Sequence, residues 1–216
     1  FTSCCPGWVK FAETFYPELL SHLSTAKGPL GMQGPTIKTW FAKQWDIDPR
    51  RIVNVAVTSC TAQKFEIRRE EMADAGKLLH IPGLRDMDHV ITTRELVRWL
   101  QEEGIDFKNL PCSDYDPLMG SASGAGIIFG NSGGVMEAAA RTVWYMLTGK
   151  NPPDSFFALK EVRGLEGIKS TIIHIGDVTL SLAVIHGLNN ARTFIKELKK
   201  GMQNYDFIEV MACPGG

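Results

Sequence analysis

The sequence of 216 residues contains no long hydrophobic run. No apolar stretch approaches the roughly 20 residues that a transmembrane helix needs. The opening residues, FTSCCPGW, lack the basic and apolar regions of a signal peptide. The expected location is therefore the cytoplasm, and no membrane partner is expected.

Excess charge of either sign is also missing. The chain has 23 Lys and Arg against 24 Asp and Glu, and no basic block stands out. The electrostatic pattern of a protein that binds nucleic acid is absent, so no nucleic-acid partner is expected. With 44% hydrophobic residues, the chain is long enough to bury a core as one large domain or two lobes.

Cysteine is sparse and odd in number. An odd count in a chain without an export signal argues against a disulfide framework. In a reducing compartment, cysteines beside Gly and Pro more often bind metal or do chemistry, although a single one could be a small buried hydrophobic residue. Three such segments together favour metal binding. The five cysteines are Cys4, Cys5, Cys60, Cys112 and Cys213.

Hydrophobic periodicity predicts an α/β fold with two lobes of mainly parallel sheets flanked by helices. A stretch rich in Gly, Ser, Asp and Pro at residues 111–134 is the candidate crossing. The lobes are expected at residues 1–115 and 116–216. Helices are predicted over residues 8–23, 36–45, 96–103, 135–147 and 190–200, and strands over residues 51–57, 89–91, 171–175, 179–185 and 207–211.

Two predicted strands each end at a cysteine. The strand ending at Val57 runs into Cys60, and the strand ending at Met211 runs into Cys213. Open α/β sheets bind ligands at the carboxyl ends of their strands. These two cysteines are therefore expected at a ligand site.

The cysteine segments resemble those of a known family, the [FeFe] hydrogenases. Residues 2–8 (TSCCPGW) are similar to the signature TSCCP-x-W, and residues 58–66 (TSCTAQKFE) to a family stretch MPC-x-x-K-x-x-E. Residues 209–216 (EVMACPGG) resemble the start of a stretch that continues into a further cysteine. Residues 129–138 and 161–167 resemble two more family stretches, so the likeness covers essentially the whole chain.

The resemblance implies the H-cluster, a [4Fe–4S] cluster joined through one cysteine to a two-iron unit with CO, cyanide and azadithiolate. This cofactor is expected in the cleft between the two lobes. Cys5, Cys60 and Cys213 would be three ligands of the cubane. The fourth is expected directly after residue 216, so the second lobe is expected to be truncated. Cys4 matches a thiol that passes protons, and Ser24 a hydroxyl further along that path.

The resemblance also implies residues around the two-iron unit. Met211 and Phe129 match apolar wall positions. Glu66 matches a hydrogen-bonding carboxylate behind the ligands, with an ordinary surface helix carboxylate as the alternative.

Several positions depart from the commonest family pattern. Thr58 and Ser59 replace Met and Pro, and Gln63 replaces a Lys that holds cyanide. Asn131 and Ser132 stand where Ala and Thr are common. A neutral amide can still donate a hydrogen bond to cyanide, without the charge assistance of an ammonium. We therefore expect a divergent subgroup.

The function implied is an oxidoreductase that interconverts protons and electrons with H2. It would use a ferredoxin-like electron partner and need hydrogenase maturation proteins. The alternative is a relative with low or no turnover, either a hydrogenase-like sensor or an iron–sulfur assembly protein that lacks the two-iron unit. Cys4 and Met211 argue for the enzyme, whereas Gln63 argues mildly for the alternative.

Overall fold

A computed structural model describes residues 1–116, 118–130, 132–157, 160–161, 167–201 and 204–214. The chain divides into two compact units. One unit combines Phe1–Thr25 with Ala122–Gly216, and the other is Ala26–Ser121. The lobe predicted over residues 1–115 thus differs from the observed unit, because the first 25 residues group with the end of the chain.

The described residues form both helices and strands, which confirms the predicted α/β class. A π-helical segment lies at Ile37–Phe41, and 3₁₀ turns lie at Pro17–His22, Pro49–Arg51, Phe107–Asn109 and Asp154–Phe156. The helices are α1 (Pro6–Phe15), α2 (Pro29–Thr36), α3 (Ala42–Gln44), α4 (Gln63–Glu66), α5 (Asp74–Leu78), α6 (Thr93–Glu102), α7 (Gly124–Ile128), α8 (Gly134–Thr148) and α9 (Leu188–Lys199). The strands are β1 (Val55–Thr58), β2 (His89–Thr92), β3 (Lys160–Glu161), β4 (Ile168–Ile175), β5 (Val178–His186) and β6 (Phe207–Met211).

The unit that contains both chain ends is built on a sheet of order β3-β4-β5-β6. The β3–β4 and β4–β5 pairs are antiparallel, and β5–β6 is parallel. The hairpin between β4 and β5 turns at Gly176, whose φ of 58° lies in the left-handed region that favours glycine. Because Gly176 and Asp177 lie between the strands predicted over residues 171–175 and 179–185, the sequence predicts this hairpin, and the structure confirms it.

Helices pack against both faces of this sheet. Successive side chains of a strand point to opposite faces, so alternate residues of β5 contact different helices. On β5, Leu182 and Val184 pack with Met136 of α8. The alternate residues Ala183 and Ile185 pack with Trp8 of α1 and with α9. Complete burial of a large apolar side chain contributes about 1.5–3 kcal/mol, so these two layers hold the unit together.

The first residues of the chain extend this sheet beyond β6. The N–H of Thr2 donates to the carbonyl oxygen of Ile208 at 2.8 Å, and the N–H of Val210 donates to the carbonyl oxygen of Thr2 at 3.1 Å. This parallel bridge explains why the first 25 residues belong to the unit of β6. It joins residues far apart in sequence, and local periodicity carries no signal for it.

The other unit contains the parallel pair of β1 and β2. The β-branched and nearly continuous apolar run at residues 51–57 is typical of a buried parallel strand. In the structure Ala56 is buried, whereas Val55 and Val57 are each 51% exposed. The expected burial was wrong for these two valines, because the side chains of the described residues cover only one face of the two-stranded sheet.

A buried polar network fixes the start of β1 and β2. The Lys38 ammonium, 1% exposed, donates to both carboxylate oxygens of Asp88 at 2.7 and 2.9 Å. Asp88 also accepts from the backbone N–H of Asn54, whose side chain donates to the carbonyl of Asp86. The carboxylate of Asp86 accepts from the first N–H groups of α5. These bonds set the position of the strand that leads to Cys60.

The sequence predicts that Thr92 or Thr93 caps the helix over residues 96–103, and in the structure this helix, α6, begins at Thr93. Thr92 caps it in a capping box, since its hydroxyl accepts from the N–H of Glu95 while the Glu95 carboxylate accepts from the N–H of Thr92. Over the part of the chain that the structure describes, no helix has the length and apolar character needed to cross a membrane.

Candidate metal centre

The loop that carries Cys4 and Cys5 is fastened to the end of β6. The Ser3 hydroxyl donates to the carbonyl oxygen of Val210 at 2.6 Å and accepts from the N–H of Cys5 at 2.9 Å. Together with the Thr2 bridge, these bonds hold residues 2–5 alongside the strand. The first and last cysteine segments therefore lie side by side within one unit.

The two adjacent cysteines contact different partners. The Sγ atom of Cys4 lies 3.9 Å from the Sδ atom of Met211. The Sγ atom of Cys5 accepts a hydrogen bond from the N–H of Ala212 at 3.4 Å, and Cys5 is buried. An N–H directed at a cysteine sulfur is the kind of contact that tunes iron–sulfur ligands. The geometry gives Cys4 and Cys5 distinct surroundings.

Gly7 leaves space for this arrangement. A Cβ atom at Gly7 would lie 3.1 Å from the Cβ of Ala212 and 3.5 Å from the Sγ of Cys5. The first of these distances is tighter than ordinary van der Waals contact. A residue without a side chain therefore lets the start of α1 approach the segment that carries Cys213.

Cys60 follows β1 in the other unit. The Thr58 hydroxyl accepts from the N–H of Cys60 at 3.3 Å and donates to its carbonyl oxygen at 3.2 Å, which folds the backbone into a short turn. Ser59, between them, is exposed, and Cys60 is partly exposed. Thr58 thus shapes the loop that presents Cys60.

The helix α4 carries the two further candidate residues of this segment. The Oε1 atom of Gln63 is buried and has no hydrogen-bond partner among the described residues. The neighbouring Lys64 instead forms an ion pair with Glu95. Lys64 is therefore paired with Glu95 and does not stand in for the Lys that the family has at position 63. At that position Gln63 has a buried amide oxygen.

Glu66, at the end of α4, is buried rather than exposed. Burial raises the pKa of Glu66 to about 7, and the nearby Arg69 charge partly offsets this shift. The alternative of a surface helix carboxylate does not fit this position. Glu66 is a buried group close to its protonation midpoint at neutral pH.

The remaining candidates are spread over the first unit. Phe129 is partly buried at the end of α7, and the Ser132 hydroxyl oxygen is buried without a partner in the described part of the chain. Ser24 is exposed, and its N–H donates to the carbonyl oxygen of Phe1 at 2.7 Å. Cys213 is exposed. Asn131 and most of the stretch at residues 161–167 lie outside the described residues.

Glu209 is a buried carboxylate for which the sequence predicted no separate role. This residue of β6 is completely buried and accepts hydrogen bonds from the N–H groups of Gly133 and Met136, each at 2.9 Å. Burial raises the pKa of Glu209, and the two hydrogen bonds partly offset the rise. The available signal was a single carboxylate inside the apolar run Phe-Ile-Glu-Val-Met.

Within the described ranges, no three His, Cys, Asp or Glu side chains lie close enough together to hold one metal ion. Cys5 and Cys213 belong to one unit, and Cys60 belongs to the other. The residues nevertheless fit an iron–sulfur group in their chemistry. Cysteine sulfurs are the donors such a group prefers, and Cys5 has both a donor N–H and the space left by Gly7 beside it.

Comparison with known proteins decides the family. The family model described as iron only hydrogenase large subunit, C-terminal domain, matches residues 1–216. The chain belongs to this family. It is 45% identical to the periplasmic [Fe] hydrogenase large subunit of Nitratidesulfovibrio vulgaris, over the whole chain and 49% of that protein. It is also 45% identical to iron hydrogenase 1 of Clostridium pasteurianum, over the whole chain and 36% of that protein.

More distant relatives include a protein of another kind. Cytosolic iron-sulfur assembly component 3 of Pongo abelii is 33% identical over 99% of the chain and 44% of its own length. A variant of apo [FeFe]-hydrogenase HydA1 from Chlamydomonas reinhardtii superposes with a TM-score of 0.83 at 38% identity, over the whole chain and 59% of that structure. The chain thus spans at most about half the length of the curated relatives it matches. The family and the fold predicted from the sequence are confirmed.

Proposed function

We propose that the protein carrying this chain is an [FeFe] hydrogenase that interconverts H2 with protons and electrons. The observation that supports this most directly is the contact of Cys4 with Met211, beside a Cys5 that is engaged separately by Ala212. A protein that held only a cubane would need Cys5, but it would have no use for a second thiol placed against a thioether. The separation of the two thiols favours an enzyme that moves protons.

In this proposal Cys5, Cys60 and Cys213 hold the [4Fe–4S] cluster through their sulfurs. The attached two-iron unit, with its CO, cyanide and azadithiolate, would supply the centre at which protons and electrons combine. These three cysteines lie on loops rich in Ser, Gly and Pro, where backbone N–H groups can approach sulfur.

The other residues act on protons and on the surroundings of the group. The Sγ atom of Cys4 would accept and release the proton, and the Ser24 hydroxyl would serve further out on the same path. Met211 and Phe129 would exclude water. The Nε2 group of the Gln63 amide would donate a hydrogen bond to cyanide. Thr58 and Ser59 would line the Cys60 loop, and Glu66 would lie behind it.

The second candidate is an iron–sulfur assembly protein that lacks the two-iron unit. The 33% identity to cytosolic iron-sulfur assembly component 3 favours it, as does the neutral Gln63 in place of a Lys. The identity to hydrogenases is higher, at 45%. We therefore place the assembly function second.

The proposed partners follow from the reaction. An electron carrier of the ferredoxin type would supply or remove single electrons, and maturation proteins would deliver the two-iron unit. We propose a cytoplasmic location, as the names of the assembly relatives also indicate, although one hydrogenase relative is named as periplasmic.

The test is H2 evolution by the full-length protein, matured and purified without oxygen, from reduced methyl viologen. H2 uptake with oxidised viologen is measured on the same sample. Turnover in either direction that scales with bound iron supports the hydrogenase. If each protein molecule carries a [4Fe–4S] cluster but H2 is neither evolved nor consumed, the hydrogenase function is contradicted and the assembly function is favoured.

A further inference from the structure

Glu209 is a carboxylate in the middle of an apolar strand. Its neighbours Ile208 and Val210 belong to the hydrophobic core, and Glu209 itself is 0% exposed. A buried carboxylate is costly unless its oxygens accept hydrogen bonds. Each oxygen of Glu209 accepts one, from the N–H of Gly133 and from the N–H of Met136.

These two N–H groups form the amino end of α8. Gly133 is the residue before the helix and has a φ of 80°, and Met136 is the third residue within it. Serine, threonine or aspartate usually satisfies such groups from the residue before the helix, but Gly133 has no side chain for this. Glu209, from a strand far along the chain, takes that role. When ionised, its carboxylate also suits the positive end of the 15-residue helix dipole.

The start of α8 is in turn pressed against the end of α7. A Cβ atom at Gly134 would lie 2.0 Å from the carbonyl oxygen of Ile128 and 3.1 Å from the backbone carbon of Phe129. Neither distance allows a side chain, so the two helices meet backbone to backbone at this glycine. The position of Phe129 is therefore coupled to the amino end of α8, and through Glu209 to β6.

We propose that Glu209 is a positioning residue for the cofactor wall. Its carboxylate ties Phe129, by way of α8, to the strand that presents Met211 two residues further on. In this role Glu209 sets the spacing of the two wall residues through its hydrogen bonds to the N–H groups of Gly133 and Met136. The assignment of that wall rests on the proposed function.

The test compares three substitutions in the full-length protein. Glu209→Gln keeps the size of the side chain and leaves one of the two N–H groups without an acceptor. Glu209→Asp keeps the charge and draws the carboxylate back by one methylene. Glu137→Gln is the matched control, because Glu137 lies in the first turn of the same helix and pairs with Arg141 instead.

Two readouts are measured on each variant. The first is amide hydrogen exchange at Gly133 and Met136 in the apoprotein, which needs no cofactor. The second is the infrared spectrum of the matured protein in the region of CO and cyanide stretching. Glu209→Gln is expected to speed exchange at these amides about tenfold relative to wild type, and Glu209→Asp by less, because a buried N–H loses its partner. Shifted or broadened CO bands are expected for both variants, and Glu137→Gln is expected to match wild type.

The proposal is overturned if Glu209→Gln behaves like Glu137→Gln in both readouts. It is also overturned if exchange rises while the CO bands keep their positions and widths, since Glu209 would then hold the fold without setting the wall. If both Glu209 variants fail to fold while Glu137→Gln folds, Glu209 is needed for folding only, and the proposal is overturned as well. If the wild-type spectrum itself lacks CO and cyanide bands, both the proposed function and this role of Glu209 are wrong. This outcome differs from a failure of the Glu209 role alone, because it is seen in the wild-type protein without any variant.

Discussion

The Sγ atom of Cys4 lies 3.9 Å from the Sδ atom of Met211, although 207 residues separate them in the sequence. The bridge between Thr2 and β6 brings the two segments together. Cys5, the next residue, contacts the N–H of Ala212 instead. One short loop thus supplies two thiols with different surroundings, and their substitution should have different consequences.

Cys4→Ala and Cys5→Ala are expected to separate proton transfer from metal binding in the full-length protein. Cys4→Ala should lower H2 turnover at least about 100-fold while iron content stays normal, because a positioned acid–base group is lost. Cys5→Ala should lose the cubane and its absorbance, because a ligand is removed. Iron analysis and H2 evolution from reduced viologen measure both effects.

Cys112→Ala is the control for these variants, since Cys112 is an exposed thiol with no assigned role. It should keep iron and turnover. Normal turnover in Cys4→Ala would show that protons reach the site by another route.

Gly134 and Gly126 offer a matched pair for the contact between α7 and α8. Gly134→Ala should lower the free energy of unfolding by at least about 2 kcal/mol, since its Cβ would meet the carbonyl oxygen of Ile128 at 2.0 Å. Gly126→Ala, in α7 with open space at its Cβ position, should raise it by up to about 1 kcal/mol. Urea unfolding of the 216-residue chain gives both values. Equal effects at the two glycines would mean that the helices do not meet at Gly134.

Glu66 should make the stability of the chain depend on pH. Its pKa in the folded chain is about 7, above the ordinary value of 4.5, so folding favours the protonated carboxyl. The stabilisation is complete below pH 4.5 and is lost as the pH rises through 7, by about 3 kcal/mol in total. Glu66→Gln should remove this part of the pH dependence.

The measurement is urea unfolding at intervals from about pH 4 to 8, taken as the difference between variant and wild type. Glu70→Gln, an exposed glutamate four residues on, should leave the slope unchanged. A slope that persists in Glu66→Gln would assign the pH dependence to other groups.

The buried pair of Lys38 and Asp88 should contribute far more to stability than an exposed pair. Asp88→Asn leaves the Lys38 ammonium buried without its counter-charge and should cost about 3 kcal/mol. Glu71→Gln, which removes the same charge from an exposed pair with Arg69, should cost less than about 1 kcal/mol. Thermal or urea unfolding compares them, and similar losses would show that Asp88 is not the partner that neutralises Lys38.

Local patterns predicted the regular elements well. The run Phe-Ile-Glu-Val-Met matches β6 at both ends, and the hairpin turn fell at Gly176 as expected. Thr92 supplied the cap expected before α6. These features are encoded by neighbouring residues, through side-chain alternation, turn chemistry and capping.

Contacts between distant segments were not predictable in the same way. The pairing of Thr2 with β6 joins the two ends of the chain, and Glu209 caps a helix that begins 75 residues earlier. The hydrophobic periodicity of a segment carries no information about which distant segment it contacts. The strand ends pointed to Cys60 and Cys213, and the family resemblance gave Cys4 and Cys5 different roles. The contact partners of Cys4 and Cys5 and the burial of Glu66 needed coordinates.

The infrared spectrum of the full-length protein, matured with its two-iron unit and kept without oxygen, decides whether the protein is a hydrogenase. We expect CO and cyanide stretching bands together with the absorbance of a [4Fe–4S] cluster, and we expect the bands to respond to added H2. A spectrum with cubane absorbance and no CO or cyanide bands would instead show an iron–sulfur protein without hydrogenase chemistry.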